Sequence, residues 1–157
     1  MADRWEEEVR TGKGKAYGME TDICYSNGKT SVDASYTLSW SKRFFPDFHS
    51  SWYPDKFDNR HRFSVKIGHK FNERIDVYAS WNYHSGNRMT IPTQLVDAPV
   101  IPGVEKVNEG MMIYEMPNNV SLPAYHRLDL GINFRKTTKR GFERIWNISL
   151  YNAYCRK

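Results

Sequence analysis

Hydrophobic and polar residues alternate with a period of two along much of this chain. Between Ser31 and Lys42, every second residue is apolar or aromatic, namely Val32, Ala34, Tyr36, Leu38 and Trp40. The intervening positions carry Ser, Asp or Thr. A helix would mix these two sets on its faces, whereas a β-strand separates them. The segment is therefore predicted to be a strand with one apolar and one polar face.

The same alternation recurs in other segments and predicts six long strands. Their expected bounds are about 16–26, 30–42, 61–71, 75–86, 126–136 and 144–155. These lengths are close to the ~9–11 residues that a tilted strand needs to cross a bilayer. No segment has the ~18 consecutive apolar residues of a transmembrane helix. The predicted fold class is all-β.

The connections between these strands alternate in length. Three are short, around Asn27-Gly28-Lys29, 72–74 and 137–142, and two are long, 45–60 and 92–125. The Asn-Gly pair is expected to supply positive φ angles in a tight hairpin. Short turns alternating with long loops are typical of an antiparallel up-and-down meander in an outer-membrane barrel. Aromatic residues also crowd the strand ends, as in an interfacial girdle.

The pattern therefore predicts part of the wall of a transmembrane β-barrel, with Trp40, Trp81 and Leu130 facing lipid. Soluble folds also alternate apolar and polar residues, so two alternatives stay open. One is a lipocalin-like barrel that binds a small ligand, and the other is a β-sandwich with a ligand or an adhesion partner. The long proline-rich segment 91–125 favours the membrane barrel over the lipocalin-like barrel.

The charge distribution and the reactive residues bear on three further functions: nucleic-acid binding, metal or cofactor binding, and catalysis. The formal charge of +5 is spread among interleaved acids and bases, so no nucleic-acid partner is expected. Cys24 and Cys155 lack zinc-site spacing and are expected to be unpaired thiols. The five histidines show no convergent spacing, so neither a metal nor another cofactor is expected. No nucleophile, paired carboxylates or phosphate loop appears, so the chain is not expected to be an enzyme and no catalytic residue is predicted.

Four residues are candidates for ligand binding. Arg62 and Arg127 follow the long loops on the polar side of their strands. The default expectation is that they form ion pairs with aspartates in a barrel lumen, and the alternative is that they contact a ligand. Trp52 and Tyr53 lie in the first long loop. Their rings are expected either to stack on a sugar or siderophore, or to clamp neighbouring loop residues.

Six stretches carry a family resemblance. They are 16–20 (AYGME), 36–39 (YTLS), 52–61 (WYPDKFDNRH), 86–92 (GNRMTIP), 123–130 (PAYHRLDL) and 150–157 (LYNAYCRK). In order and spacing they resemble the C-terminal barrel region of TonB-dependent outer-membrane receptors, especially those of Bacteroidetes. The resemblance covers residues 14–157, whereas 1–13 stay unassigned.

This resemblance implies part of an active transporter in the outer membrane of a Gram-negative bacterium. The imported ligand would be an iron chelate, a cobalamin or an oligosaccharide. Implied partners are outer-membrane lipid and the TonB complex, the latter through an N-terminal region that this chain lacks. Family members also carry a plug domain and further strands, and Cys155 stands where Asn is more usual. A fragment that supplies lumen wall and two extracellular loops is therefore expected.

Overall fold

The computed structural model describes residues 9–96 and 110–155, and these form strands joined by turns and loops. No helix occurs in the described residues. The strands, in chain order, are β1 (Lys13–Ser26), β2 (Thr30–Phe44), β3 (Tyr53–Pro54), β4 (His61–Lys70), β5 (Ile75–His84), β6 (Arg88–Met89), β7 (Gln94–Val96), β8 (Met111–Ile113), β9 (Val120–Ser121), β10 (Tyr125–Thr137) and β11 (Glu143–Leu150).

The long strands form one antiparallel meander. Their order in the sheet is β1-β2-β4-β5-β10-β11, and the short β3 pairs with β2. The prediction of an all-β fold with six long antiparallel strands is therefore confirmed. The path ends at β1 on one side and at β11 on the other. Both ends are sheet edges within the described part of the chain.

The last predicted strand is shorter than expected. It ends at Leu150 rather than at residue 155. Asn152 and Cys155 adopt φ angles of 53° and 50°, which break an extended strand. The Asn152 N–H donates to Asp129 Oδ1 at 3.0 Å, and the Ala153 N–H donates to the Leu128 carbonyl at 2.7 Å. These bonds hold the segment beside β10 as a turn.

The second long connection contains secondary structure that the alternation did not predict. β6 pairs with β9, and β7 pairs with β8, both antiparallel. Part of this connection, residues 97–109, lies outside the described residues. The described part is therefore built from short paired strands rather than from one irregular loop.

The tight turns use asparagine differently from the prediction. In the first turn Gly28 has a φ of 81°, but Asn27 does not have a positive φ. Instead the Asn27 carboxamide oxygen accepts the N–H groups of Lys29 at 3.2 Å and Thr30 at 2.7 Å. Asn72 accepts two backbone N–H groups in the same way in the second turn. The asparagines thus act through their side chains, as in an Asx-turn.

The strand registers bring the apolar positions together. Ile67 pairs with Ala79, Ala79 with Leu130, and Leu130 with Leu150. Because side chains alternate across a strand, neighbouring rows repeat this alignment. We call the resulting surface the apolar face. Its members are Val32, Ala34, Tyr36, Leu38, Phe63, Val65, Ile67, Ile75, Val77, Ala79, Trp81, Tyr83, Leu128, Leu130, Ile132, Phe134, Trp146, Ile148 and Leu150.

Few side chains are buried in the described part of the chain. Among the described residues, Tyr53 is the one buried hydrophobic side chain, and Asp55 and Asp58 are the buried charged ones. On the apolar face, the exposed side chains include Ile67, Leu130, Phe134, Trp146, Ile148 and Leu150. The sheet unit therefore leaves apolar side chains uncovered that a soluble domain would bury.

The chain divides into two compact units. The loop unit comprises Met1–Tyr17, Trp40–Asp58 and Asn87–Leu122. The sheet unit comprises Gly18–Ser39, Asn59–Gly86 and Pro123–Lys157, and it carries the apolar face. The described short strands β3, β6, β7, β8 and β9 belong to the loop unit.

Candidate functional site

Two buried carboxylates organise the loop unit. Asp58 accepts the Ser41 N–H at 2.9 Å, and its other oxygen lies 3.4 Å from Arg88 Nε. Asp58 lies in stretch 52–61 and Arg88 in stretch 86–92, two of the six stretches that carry the family resemblance. Two segments of the family resemblance therefore meet through one ion pair. No sequence pattern had predicted this pairing.

Asp55 is the second buried carboxylate. It forms an ion pair with Arg43 and accepts the Phe57 N–H at 3.0 Å. Burial by itself raises the pKa of Asp55, but the Phe57 N–H, the Arg43 guanidinium and the Lys56 charge together hold the pKa below its ordinary value. Asp55 is therefore ionised near neutral pH and holds the turn that follows β3.

The two loop aromatics predicted as ligand contacts differ in accessibility. Trp52 is 37% exposed, stacks on Phe44 at 5.5 Å, and has Lys15 Nζ 4.3 Å from its ring centre. Tyr53 is only 6% exposed and meets the His49 ring edge-on at 5.9 Å. Of the two predicted alternatives, this burial favours packing within the loop for Tyr53 over stacking on a ligand, because its ring lies inside the loop unit. Trp52 keeps part of its ring accessible.

The two predicted arginines have different surroundings in the sheet unit. Arg127 forms the expected ion pair, with its guanidinium 2.9 Å from Asp129. It also lies 4.2 Å from the centre of the Tyr151 ring and donates to the Tyr151 hydroxyl. Arg62 is exposed and has no carboxylate partner among the described residues. The structure therefore gives Arg127 a structural role and leaves Arg62 accessible on the polar side.

The polar side of the sheet unit is an ordered network of side chains. Asp76 accepts from Asn133 Nδ2 at 2.7 Å and from Arg135 Nε at 2.9 Å. Asn147 continues the network by donating to the Asn133 carboxamide oxygen at 2.6 Å and to the Tyr78 hydroxyl at 3.0 Å. These bonds cross three strands and fix the polar surface in one arrangement.

Tyr78 reaches Asn147 because Gly131 lies between them. A Cβ added at Gly131 would come within 2.0 Å of the Tyr78 ring. The glycine in the middle of β10 therefore leaves room for an aromatic ring from β5, a contact known to rescue glycines in sheets. A glycine inside an alternating strand was the available sequence signal for such a close approach.

Aromatic side chains bound the apolar face at the strand ends near the long loops. Trp81 stacks on Tyr83 at 6.0 Å and meets Phe63 edge-on at 5.5 Å. His61 and His126 lie in the same region. The Tyr36 hydroxyl is 2.9 Å from His61 Nδ1, and the Tyr154 hydroxyl is 2.6 Å from His126 Nδ1. We call this set the loop-end row: Tyr36, His61, Phe63, Trp81, Tyr83, His126 and Tyr154.

A second row bounds the apolar face at the tight-turn end. Phe134 pairs with Ile75 on one side and with Trp146 on the other. We call Ile75, Phe134 and Trp146 the turn-end row. Between the two rows lies an aliphatic band with a shallow depression of about 420 Å³, lined largely by Ile67, Val77, Ala79, Leu130, Ile132 and Ile148.

The described residues contain no grouped metal ligands and two free thiols. Within residues 9–96 and 110–155, no group of three His, Cys, Asp or Glu side chains is placed to hold a metal ion. Cys24 and Cys155 are both free and exposed. In the same residues no helix is long and apolar enough to span a membrane.

Comparison of the chain with protein-family models, curated proteins and solved structures finds no match. The resemblance to TonB-dependent receptors therefore stays a prediction from the sequence.

Proposed function

We propose that this chain forms part of the wall of an outer-membrane β-barrel, from an active transporter of the TonB-dependent type. The observation that carries the proposal is the uncovered apolar face. A contiguous apolar surface beyond a few hundred Å² is uncommon on a soluble monomer and marks contact with lipid or with another apolar surface. In a bilayer this face packs against acyl chains.

The spacing of the two aromatic rows supports lipid as the partner. From Tyr83 to Ile75 along β5, the strand rises about 27 Å at ~3.4 Å per residue. A tilt of ~40° reduces this height to about 21 Å, close to the ~25 Å apolar band of an outer-membrane barrel. The rows then lie near the two membrane interfaces, where aromatic rings are enriched.

The polar side supports an aqueous lumen. Two ion pairs lie on this side: Arg127 pairs with Asp129, and Arg135 pairs with Asp76. A lumen tolerates such groups, whereas lipid does not. Arg62 and Trp52 stay the candidates for contact with a transported ligand, which is an iron chelate, a cobalamin or an oligosaccharide.

The sheet edges favour a barrel wall over a closed soluble barrel. β1 and β11 end the strand order, and their residues are exposed throughout. A lipocalin-like barrel removes such edges by closing on itself, and a sandwich covers one face with a second sheet. In a larger barrel, the edges pair with further strands and no backbone group is left unsatisfied in lipid.

Fluorescence quenching by lipid tests the membrane part of the proposal. The full chain is refolded into phosphatidylcholine vesicles whose acyl chains carry bromine, a contact quencher of tryptophan. The unmodified chain is compared with Trp81→Phe and with the loop control Trp52→Phe. We expect Trp81→Phe to remove a quenchable component and Trp52→Phe to remove an unquenched one. Absence of any quenching in the unmodified chain contradicts the membrane assignment.

Growth tests the transport part separately. Deleting the encoding gene from its Gram-negative host should abolish growth on limiting amounts of one ligand among iron chelates, cobalamin and oligosaccharides. Restoring the gene should restore growth. Unchanged growth on all three ligand classes contradicts a role in uptake, even if the chain inserts in membranes.

A further inference from the structure

A pair of cations continues the apolar face beyond its turn-end row. Lys136 on β10 and Arg144 on β11 are directly paired in the register, one step past the pair Phe134 and Trp146. Because alternate residues share a face, both cations lie on the same side as those aromatic rings. The pair therefore borders the apolar face on the side away from its aliphatic band.

These two cations face each other without a partner. Like charges directly opposite on neighbouring strands destabilise a sheet. Within the part of the chain that the structure describes, neither Lys136 nor Arg144 has a carboxylate in ion-pair contact. An anion that binds between them would replace this repulsion with attraction.

The surrounding groove has room for such an anion. A cavity of about 790 Å³ is lined by Arg74, Ile75, Phe134, Lys136, Arg144 and Trp146, among others. Two carboxylates, Glu73 and Glu143, also line it. Glu143 lies 3.7 Å from Arg135, and Arg135 also pairs with Asp76. Glu143 and Arg135 are both on the polar side of their strands. Among the described residues, neither Glu73 nor Glu143 is in ion-pair contact with Lys136 or Arg144.

We propose that this groove binds the phosphate headgroup of an anionic phospholipid, with its acyl chains along the apolar face. The inference rests on the proposed membrane location and adds lipid selectivity to it. Phosphate accepts hydrogen bonds from Arg and Lys, and the planar guanidinium of Arg144 can donate to two oxygens of the phosphate at once. Trp146 covers the junction between headgroup and acyl chain, a position that tryptophan favours. The groove combines two cations with an adjoining apolar face, and this combination matches a lipid better than a soluble anion.

Trp146 makes the site measurable, because its ring lines the groove. The full chain is refolded into vesicles of phosphatidylcholine mixed in equal parts with phosphatidylglycerol, with bromine on the acyl chains of one lipid or the other. The signal of Trp146 is the difference between the unmodified chain and Trp146→Phe, so that the other tryptophans stay in place. We expect phosphatidylglycerol to be preferred at Trp146 by roughly 5- to 30-fold, the effect of one or two cations at an anionic lipid surface.

Two matched variants separate a site from general surface charge. Lys136→Gln/Arg144→Gln removes the paired cations and should abolish the preference at Trp146. Lys139→Gln/Arg140→Gln removes the same charge from the adjoining exposed turn and should retain it. The signal of Trp81, in the loop-end row, should show no such preference in any variant. Circular dichroism of each variant checks that the β-structure is retained.

Each contrary outcome has a distinct meaning. Equal quenching of Trp146 by both lipids in the unmodified chain overturns the headgroup site but leaves the membrane location standing. Equal losses in the two double variants also overturn it, because delocalised charge then accounts for the preference. If added inorganic phosphate removes the preference, the groove binds a soluble anion and the lipid assignment fails. If neither lipid quenches any tryptophan, the proposed function itself fails.

Discussion

At the scale of single residues, the buried carboxylate of Asp55 couples the loop unit to pH. Its pKa in the folded chain is lower than the ordinary value of 3.8. The ionised carboxylate therefore contributes its full stabilisation at pH values above 3.8, and this stabilisation is lost as the pH falls through the lowered pKa of the folded chain. Hydrogen exchange of the Phe57 amide, which donates to Asp55, reports the loss. We expect its protection factor to be constant near neutral pH and to fall under acid conditions.

Asp55→Asn should remove this dependence. The amide keeps the size of the side chain but loses the charge that pairs with Arg43, at an expected cost of about 1.5–3 kcal/mol in local stability. The Phe57 amide should then exchange faster at neutral pH and lose its acid transition. Asp47→Asn, in the same loop, serves as a control because Asp47 is exposed and forms no ion pair among the described residues. An acid transition that persists in Asp55→Asn assigns the pH dependence to another group.

The contact between Tyr78 and Gly131 makes a second prediction at this scale. Gly131→Ala places a methyl group within 2.0 Å of the Tyr78 ring and should reduce the free energy of unfolding by about 1–3 kcal/mol. In a Tyr78→Ala background, the same substitution should cost almost nothing because the ring is gone. Urea unfolding of the full chain in detergent, followed by circular dichroism, measures both. Additive costs would show that the two residues do not interact.

Accessibility of single loop residues was the least predictable feature. Trp52 and Tyr53 are adjacent aromatic residues, yet the Trp52 ring is partly exposed and the Tyr53 ring is packed against His49. Tyr53 is also paired with Arg43 of β2, and the ion pair of Asp58 joins it to Arg88 on β6. Both pairings bring together residues that are separated along the chain, which a local pattern of residues does not encode.

At the scale of strands, alternation was sufficient to predict the sheet. The six long strands and the phase of their apolar residues follow from side chains that point to opposite faces. The observed registers then align these phases, because slipping one strand by one residue would move its apolar set to the polar side. The short strands β6 to β9 have too few residues to show a period, so they were not predictable in the same way.

The two faces of β11 should respond differently to charge. Leu150 lies in the row of Leu130 and Ala79, midway between the aromatic rows, and Ser149 is its neighbour on the polar side. Leu150→Arg should cost about 2–4 kcal/mol in vesicles, as expected for an arginine facing lipid at mid-bilayer, and Ser149→Arg much less. Urea unfolding of the vesicle-inserted chain compares them.

An arginine at Gly131, also on the polar side, would not serve as this control, because it would displace the Tyr78 ring and add a steric cost. Equal costs in vesicles would show that the two faces of the sheet do not meet different solvents.

At the scale of the whole molecule, the missing interior dominates the behaviour of the chain. One buried hydrophobic residue among those described does not supply the apolar burial that stabilises a soluble domain of this size. The edges β1 and β11 also present unpaired backbone groups, which promote association between chains. The chain therefore needs lipid, detergent or further protein strands to cover its surface.

The state of the full chain in water, compared with its state in detergent micelles, tests this account directly. Light scattering should find oligomers or aggregates in detergent-free buffer, and a dispersed β-structured species in micelles. The apolar face predicts this difference because its large hydrophobic side chains are exposed in the isolated chain. A monodisperse monomer that unfolds cooperatively in detergent-free water would contradict the barrel-wall assignment and favour a soluble β-protein.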